Sequence, residues 1–337
     1  MADQSQVGVV VIGRNEGDRL KRCLRSLKDD CPVMVYVDSG STDGSVEFAR
    51  SLGVDVVDLD LSRPFTMARG RNTGFYRLCE QYPAIEYVQF VDGDCEVANG
   101  WIPAAKASLE CDPKIVAVCG RLREKHPEAS RYNLLCDLEW DQPEGYAKSC
   151  GGIAMFRLAP LREVGGFNES MIAGEEGELC FRLRTNGWKV LRLNEEMAFH
   201  DAAMTRLSQW IQRVIRSGHA CAEVAFLHGS PPERYKVKEL RSIVFWGVML
   251  PLGILVSVVL SAVSGARALV PGFFLLCGYL LLGIRLFRTN RRRGRDLRLS
   301  TISTFYGVLA KFPEAIGVVR FWINRVWGRR SELIEYK

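Results

Sequence analysis

Tyr87–Val97 reads Tyr-Val-Gln-Phe-Val-Asp-Gly-Asp-Cys-Glu-Val. Val88, Phe90 and Val91 form an apolar run of buried-strand type that stops abruptly at two carboxylates one residue apart, Asp92 and Asp94. A buried strand tolerates unpaired charge poorly, so both acids are expected beyond its C-terminal end, at a crevice. Two hard oxygen donors there suit Mg²⁺ or Mn²⁺ better than a thiolate-seeking metal. Acidic turns after strands are common, so this pair gains meaning only from its neighbours.

Upstream, Val7–Ile12 is a continuous β-branched run of parallel-strand type that ends at Gly13-Arg14-Asn15-Glu16. A helical pattern follows on Leu20, Cys23, Leu24 and Leu27. Val33–Val37 is a second strand, closed by Asp38-Ser39-Gly40-Ser41-Thr42-Asp43-Gly44 and a helix bearing Val46, Phe48 and Ala49. Val54–Leu59 is a third, followed by Arg69-Gly70-Arg71-Asn72-Thr73-Gly74 and another helical stretch. Alternating strands and helices predict an α/β domain with a largely parallel sheet. Asn15-Glu16, Asp38 and Asp92/Asp94 all follow strand ends, and that edge of an open parallel sheet is where ligands bind. Singly, Asp38-Ser39-Gly40-Ser41 reads as a helix cap; three such ends in one sheet favour a site. No Gly-x-Gly-x-x-Gly follows the first strand, which argues against dinucleotide binding.

The chain has 337 residues, 47% of them hydrophobic, enough for one large or two modest cores. Its eleven cysteines show neither Cys-x-x-Cys nor zinc-type spacing, and read as reduced thiols facing a cytosol. Polar Met1–Gln6 runs straight into a strand, so no secretory signal is expected. The net charge of +6 is concentrated in Arg285, Arg288, Arg291, Arg292, Arg293, Arg295 and Arg298.

In order, Val-Gly-Val-Val-Val-Ile-Gly-Arg-Asn-Glu, Val-Asp-Ser-Gly-Ser-Thr-Asp-Gly-Ser, Ala-Arg-Gly-Arg-Asn-Thr-Gly and Val-Asp-Gly-Asp resemble the family 2 glycosyltransferases of the GT-A fold, over roughly residues 7–225. The resemblance implies a Rossmann-like, mostly parallel sheet and a nucleoside diphosphate-sugar donor. It places Asn15, Glu16 and Asp38 around base and ribose, Arg71 and Asn72 by the diphosphate or donor sugar, and Asp92 and Asp94 at the ribose side and the metal. Ser149-Cys150-Gly151-Gly152 would lie under the donor sugar, where glycine permits close backbone approach; a plain tight turn is the alternative. Similar enzymes carry Gly-Glu-Asp-x-Asp-Leu-x-x-Arg where this chain has Gly174-Glu175-Glu176-Gly177-Glu178-Leu179-Cys180-Phe181-Arg182. That makes Glu176 the general base, with Glu175 and Glu178 supporting. Glu in place of Asp leaves the choice between Glu175 and Glu176 open. Read without the family, the segment is an acid-rich helix N-terminus.

Trp188–Leu193 is a further strand, and Ala198-Phe199-His200-Asp201 ends it or its successor. His200 either completes a divalent site with Asp94, as in family members, or is structural. Within Glu124–Asp141, which is hard to read, His126, Arg131, Glu139 and Trp140 contact an acceptor or simply pack. Thr205–Phe226 is helical; Arg213 and Arg216 on it meet a diphosphate or form a solvated basic face. Processive members carry Gln-x-x-Arg-Trp here, and Gln209-Trp210-Ile211-Gln212-Arg213-Val214 lacks it, which predicts single transfer.

Pro231-Pro232 marks the expected end of a catalytic domain at residue 230, with a linker over 231–242. Ile243–Ser264 is uncharged and long enough to cross a bilayer, and Ala268–Ile284 is a second run extended by a snorkelling Arg285. With Lys236, Lys238 and Arg241 before and the arginines after, a transmembrane hairpin over 243–287 with both flanks cytoplasmic is expected. Residues 288–337 then form a basic tail. Within it, 301–327 predicts amphipathic helices broken at Pro313, lying on headgroups or on the catalytic domain.

The expectation is an inner-membrane glycosyltransferase of hexosyltransferase type. It uses Mg²⁺ or Mn²⁺, inverts configuration, and acts on a lipid-linked or membrane-proximal glycan in polysaccharide or glycoconjugate biosynthesis. The alternatives are a nucleotidyltransferase on a similar sheet and a silent membrane scaffold or sugar-binding subunit. The arginines beside apolar runs suit anionic lipid better than nucleic acid.

Overall fold

The computed structural model describes residues 6–329 together with Ser331 and Ile334. The chain divides into two compact units, Met1–Thr205 and Arg206–Lys337.

In the first unit, nine strands form one sheet: β1 Val7–Gly13, β2 Val33–Asp38, β3 Asp55–Asp58, β4 Tyr87–Asp92, β5 Cys95–Val97, β6 Ile115–Glu124, β7 Gly145–Ala147, β8 Ala154–Arg157 and β9 Lys189–His200. Their order is β3-β2-β1-β4-β8-β6-β9-β5, with β7 pairing β9. The half from β3 to β4 is parallel, as its continuous apolar runs predict, and β6 is parallel to β9. Strand β8 enters antiparallel between β4 and β6, and β5 and β7 pair β9 antiparallel, so the far half is mixed. Simple strand–helix alternation fails there because β5 follows β4 after only Gly93 and Asp94.

Register puts the polar strand ends on one edge. Ile12 pairs Asp92, and Gly13 pairs Asp38. Helix α1 (Asp18–Leu27) buries Leu20, Cys23, Leu24 and Leu27, the predicted stripe. Helices α2 (Ser45–Ser51) and α3 (Met67–Gln81) follow β2 and β3. Arg69–Gly74, expected ahead of a helix, lies inside α3, because Thr66 caps it by accepting from the Arg69 amide at 3.2 Å. A Cβ on Gly74 would overlap Val10, so this glycine lets α3 lie directly on β1. Beyond these come α4 (Trp101–Cys111), α5 (Arg131–Trp140), α6 (Leu158–Glu163) and α7 (Glu175–Thr185). In β4, Phe90 meets Phe156 and Phe167 edge-on, and buried Gln89 accepts from the Trp101 indole at 2.9 Å.

The second unit holds α8 (Leu207–His228), α9 (Val237–Val244), a π-helical stretch at Phe245–Met249, α10 (Leu250–Ser264), α11 (Leu269–Arg292), α12 (Leu297–Leu309) and α13 (Lys311–Val326). The two compact units divide between residues 205 and 206, so α8 falls in the second. The reason is packing: Cβ atoms on Gly218 of α8 or Gly317 of α13 would overlap the other helix's backbone, so the two helices touch main chain to main chain. Among the described residues, three helical stretches are long and apolar enough to cross a membrane, Val237–Ser264, Ala266–Arg292 and Leu297–Val326. Helix length and composition therefore do not single out a two-helix hairpin. The third stretch contains the pair expected to be amphipathic. Its break comes at Ala310, and Pro313 sits in the first turn of α13, where a missing N–H costs no hydrogen bond.

Candidate active site

The crevice at the strand ends is organised around Arg71, projected from α3 and almost fully buried. Its Nη1 donates to Glu175 Oε1 at 2.8 Å and to Glu176 Oε1 at 3.3 Å, and its Nη2 to Asp92 Oδ1 at 2.9 Å. One guanidinium thus joins the ends of β4 and α7. These carboxylates hold the Arg71 proton more tightly than usual, against the opposing effect of burial. The Arg71 guanidinium also lies over the Phe167 ring at 5.6 Å.

Helix α7 starts after Gly174 in the left-handed region, with Glu175, Glu176 and Glu178 in its first turn, where the helix dipole favours acids. The three then diverge in role. Glu178 takes a forked contact from Arg182, whose guanidinium also donates to Val164 O and Gly166 O at 2.6 and 2.7 Å, so it braces the helix. The Glu175 side chain is 2% exposed on Arg71; that of Glu176 is 19% exposed. Burial pushes the Glu176 carboxyl up to about 7, helped by the charge of Glu175 and opposed by Arg71. Gly152 lies against this cluster: a Cβ there would overlap Arg71 Nη2 and come within 3.0 Å of Glu176 Oε1. The close approach expected of Gly152 is therefore to the chain's own arginine and acid.

Asp38, Asn15 and Glu16 order the neighbouring edge. Asp38 Oδ1 accepts from the Tyr36 hydroxyl, and its Oδ2 from the amides of Gly40 and Ser41, each at 2.8 Å. Asn15, at φ 54°, accepts from the Thr42 amide and donates its own amide to Ser41 Oγ, both at 2.8 Å. The loops after β1 and β2 are thereby stapled together. Glu16 pairs with Arg19 at 2.8 Å, and its Cγ would lie 3.3 Å from a Cβ on Gly93, so it borders the Asp92-Gly93-Asp94 turn. Asn72 faces another way: its amide group exchanges hydrogen bonds with the backbone of Phe167 at 2.8 and 2.9 Å. It holds the loop that carries Phe167 beneath Arg71.

A second cluster forms where β5, β9 and β6 meet. His200 pairs Cys95 across β5 and Glu124 across β6. Its Nε2 lies 3.3 Å from Asp94 Oδ2 and its Nδ1 3.7 Å from Glu124 Oε2, and the Trp140 ring meets it edge-on at 4.8 Å. Ligand atoms of Asp94, Cys95 and His200 lie within 4.8 Å of one another, all three residues buried. Burial drives the Cys95 thiol well above its usual range, so it is protonated at neutral pH. What remains is one carboxylate and one imidazole, a donor set that fits Mg²⁺ or Mn²⁺ completed by phosphate oxygens. Asp92 stands apart from this set, committed to Arg71.

Arg213 and Arg216 lie on α8, in the second unit. Sequence reasoning missed Glu124 as the partner of His200; only strand register reveals that pairing. Nor does the spacing signal that Arg71 has a carboxylate partner more than a hundred positions away.

Residues 8–159 match the sequence profile described as Glycosyl transferase family 2. The chain is 28% identical over 278 residues to the pre-mycofactocin glycosyltransferase of Mycobacterium tuberculosis, covering 77% of this chain and 57% of that protein. It therefore spans little more than half of that relative's length. Glycosyltransferase AglE of Haloferax volcanii is 20% identical over 254 residues, covering 71% of this chain and 79% of that one. Among solved structures, the mannosyltransferase PcManGT from Pyrobaculum calidifontis, in complex with GDP-Man and Mn²⁺, superposes with a TM-score of 0.57 at 18% identity, over 96% of this chain and 87% of that one. The ordered strand-end motifs thus lie in a segment, residues 8–159, that matches the family 2 glycosyltransferases, on a fold like that of this mannosyltransferase.

Proposed function

We propose that the enzyme transfers one sugar from a nucleoside diphosphate-sugar to an acceptor hydroxyl, with inversion, and that Glu176 is the general base. The observation that carries this reading is the division of labour in the Arg71 cluster. Glu175 is sequestered on the arginine, while Glu176 keeps access to the crevice and a proton affinity near neutrality. A base poised near the working pH removes a proton effectively as its acceptor attacks, an effect of about 10²–10⁴-fold. The acceptor oxygen attacks the anomeric carbon, its proton passes to a Glu176 carboxylate oxygen, and the diphosphate leaves from the opposite face. Asp38, Asn15 and Glu16 shape the wall for base and ribose, and Asp92 fixes the Arg71 fork.

A divalent ion is proposed at Asp94 and His200, where it would neutralise charge on the departing diphosphate. The donor and ion follow the likeness to a mannosyltransferase in complex with GDP-Man and Mn²⁺, together with this chain's own donor set. The long apolar helices of the second unit motivate an inner-membrane location. A lipid-linked or membrane-proximal acceptor follows from that location.

A panel of nucleotide sugars is screened first by thermal shift, then by release of nucleoside diphosphate. Glu176→Gln is expected to lower kcat about 10²–10⁴-fold while leaving donor Kd within a few-fold. Near-normal turnover in that variant rejects the base assignment. Release of pyrophosphate identifies a nucleotidyltransferase instead.

A further inference from the structure

His200 stands between two strands and two acids. On one side β5 brings Asp94 to its Nε2 at 3.3 Å. On the other, β6 runs parallel to β9 with Glu124 directly opposite His200, so both side chains project from the same face of the sheet. Glu124 Oε2 comes within 3.7 Å of His200 Nδ1, an ion-pair distance rather than a hydrogen bond. That ring nitrogen is buried and makes no hydrogen bond to any described residue.

Glu124 is itself held from several directions. Its Oε1 accepts from the His126 amide and from Asn133 Nδ2, both at 3.2 Å, and its Oε2 accepts from the Ala202 amide at 3.1 Å. Asn133 is fixed in turn by the Met204 amide, which donates to its Oδ1 at 3.0 Å. Burying a carboxylate this completely is costly unless its charge is used. Trp140 packs edge-on against the imidazole.

We infer that Glu124 is a positioning residue for His200: its Oε2 holds the proton on Nδ1 and so leaves the Nε2 lone pair, on the Asp94 side, to bind a divalent ion. Acids behind metal-binding imidazoles act in this way in general, fixing tautomer and ring orientation, and losing one weakens ion affinity about 10–100-fold. The inference rests on the ion proposed at Asp94 and His200, and its test separates the two.

The full chain in detergent is titrated with Mn²⁺ in the presence of nucleoside diphosphate, by calorimetry, and the nitrogen coupling to bound Mn²⁺ is read by pulsed electron paramagnetic resonance. Wild type is expected to bind with an imidazole nitrogen signal that His200→Ala removes. Glu124→Gln keeps the shape and removes the charge, and its Mn²⁺ Kd is expected to rise about 10–100-fold with an altered nitrogen coupling. Asn133→Ala disturbs the same local network without touching the Oε2 side. It is expected to lower thermal stability and keep wild-type Mn²⁺ affinity. Unchanged affinity and coupling in Glu124→Gln overturns the role of Glu124 while leaving the ion site intact. Equal weakening in Asn133→Ala and Glu124→Gln also overturns it, by reducing the effect to general loosening. Absence of Mn²⁺ binding in wild type overturns both the ion site and the inference.

Discussion

Two buried ionic clusters in the first unit balance charge in different ways. Around Arg71, three carboxylates share a guanidinium that is permanently charged. Around His200, two carboxylates flank an imidazole, a group that is either a cation or, when neutral, a metal donor. In the first cluster Arg71 and the sequestered Glu175 form a built-in brace, and Glu176 is the member left partly exposed. The second has no permanently charged group at its centre.

The sharpest way to break the contrast is Arg71→Met, which leaves the buried Glu175 carboxylate without its arginine. Removing one partner of a buried pair costs about 3–5 kcal/mol, so the denaturant midpoint should fall steeply. Arg71→Lys, a point charge without the fork, should recover only part of the loss. Unchanged stability in Arg71→Met would mean that the brace is not structural.

On the other cluster, His200→Ala should remove ligand stabilisation rather than intrinsic stability. At an ion concentration of a hundred times Kd, Mn²⁺ with nucleoside diphosphate should add about 2.7 kcal/mol to wild type, and little to the variant. Equal thermal shifts in both proteins would place the ion elsewhere.

Gly152→Ala introduces a methyl group onto Arg71 and Glu176. Overpacking of this kind costs about 1–3 kcal/mol, and the loss should register more in kcat than in donor affinity, because Glu176 is displaced. The smallest effect expected is in pH dependence. As the proposed base Glu176 would work deprotonated, and its carboxyl is raised to about 7, so kcat should fall as pH drops through that value with a one-proton slope. Glu175→Gln removes the neighbouring charge that helps raise it, and should move this acid limb to lower pH. A limb that stays in place assigns it to another group.

Much of this was legible from the chain, for identifiable reasons. The buried runs of β1, β2 and β4 ended at Asn15, Asp38 and Asp92 because charge cannot enter a buried strand cheaply, and register aligned those ends. The segment of Glu175 and Glu176 was legible as an acid-rich helix N-terminus, but not the separation of the two in exposure beside Arg71 from α3. The partners of Arg71 and Asn72 were hidden because both side chains reach residues about a hundred positions away, and periodicity carries only local information. The mixed half of the sheet was hidden for a similar reason: β5, β7 and β8 are only three or four residues long. Residues 301–327 read as helices lying on headgroups or on the catalytic domain, and α13 buries Ala315, Val318 and Phe321 in contact with α8, a packing partner that periodicity alone could not choose.

The main-chain contact between Gly218 and the turn around Glu314, and between Gly317 and Ile215, joins the first helix of the second unit to its last. During synthesis α8 leaves the ribosome with its apolar face bare, and its partner follows only after some eighty further residues have been made. Both hydrophobic stretches α10 and α11 must be accommodated in that interval. The unit is a clasp that shuts last, so damage to either glycine should surface as failed maturation and proteolysis rather than as altered chemistry.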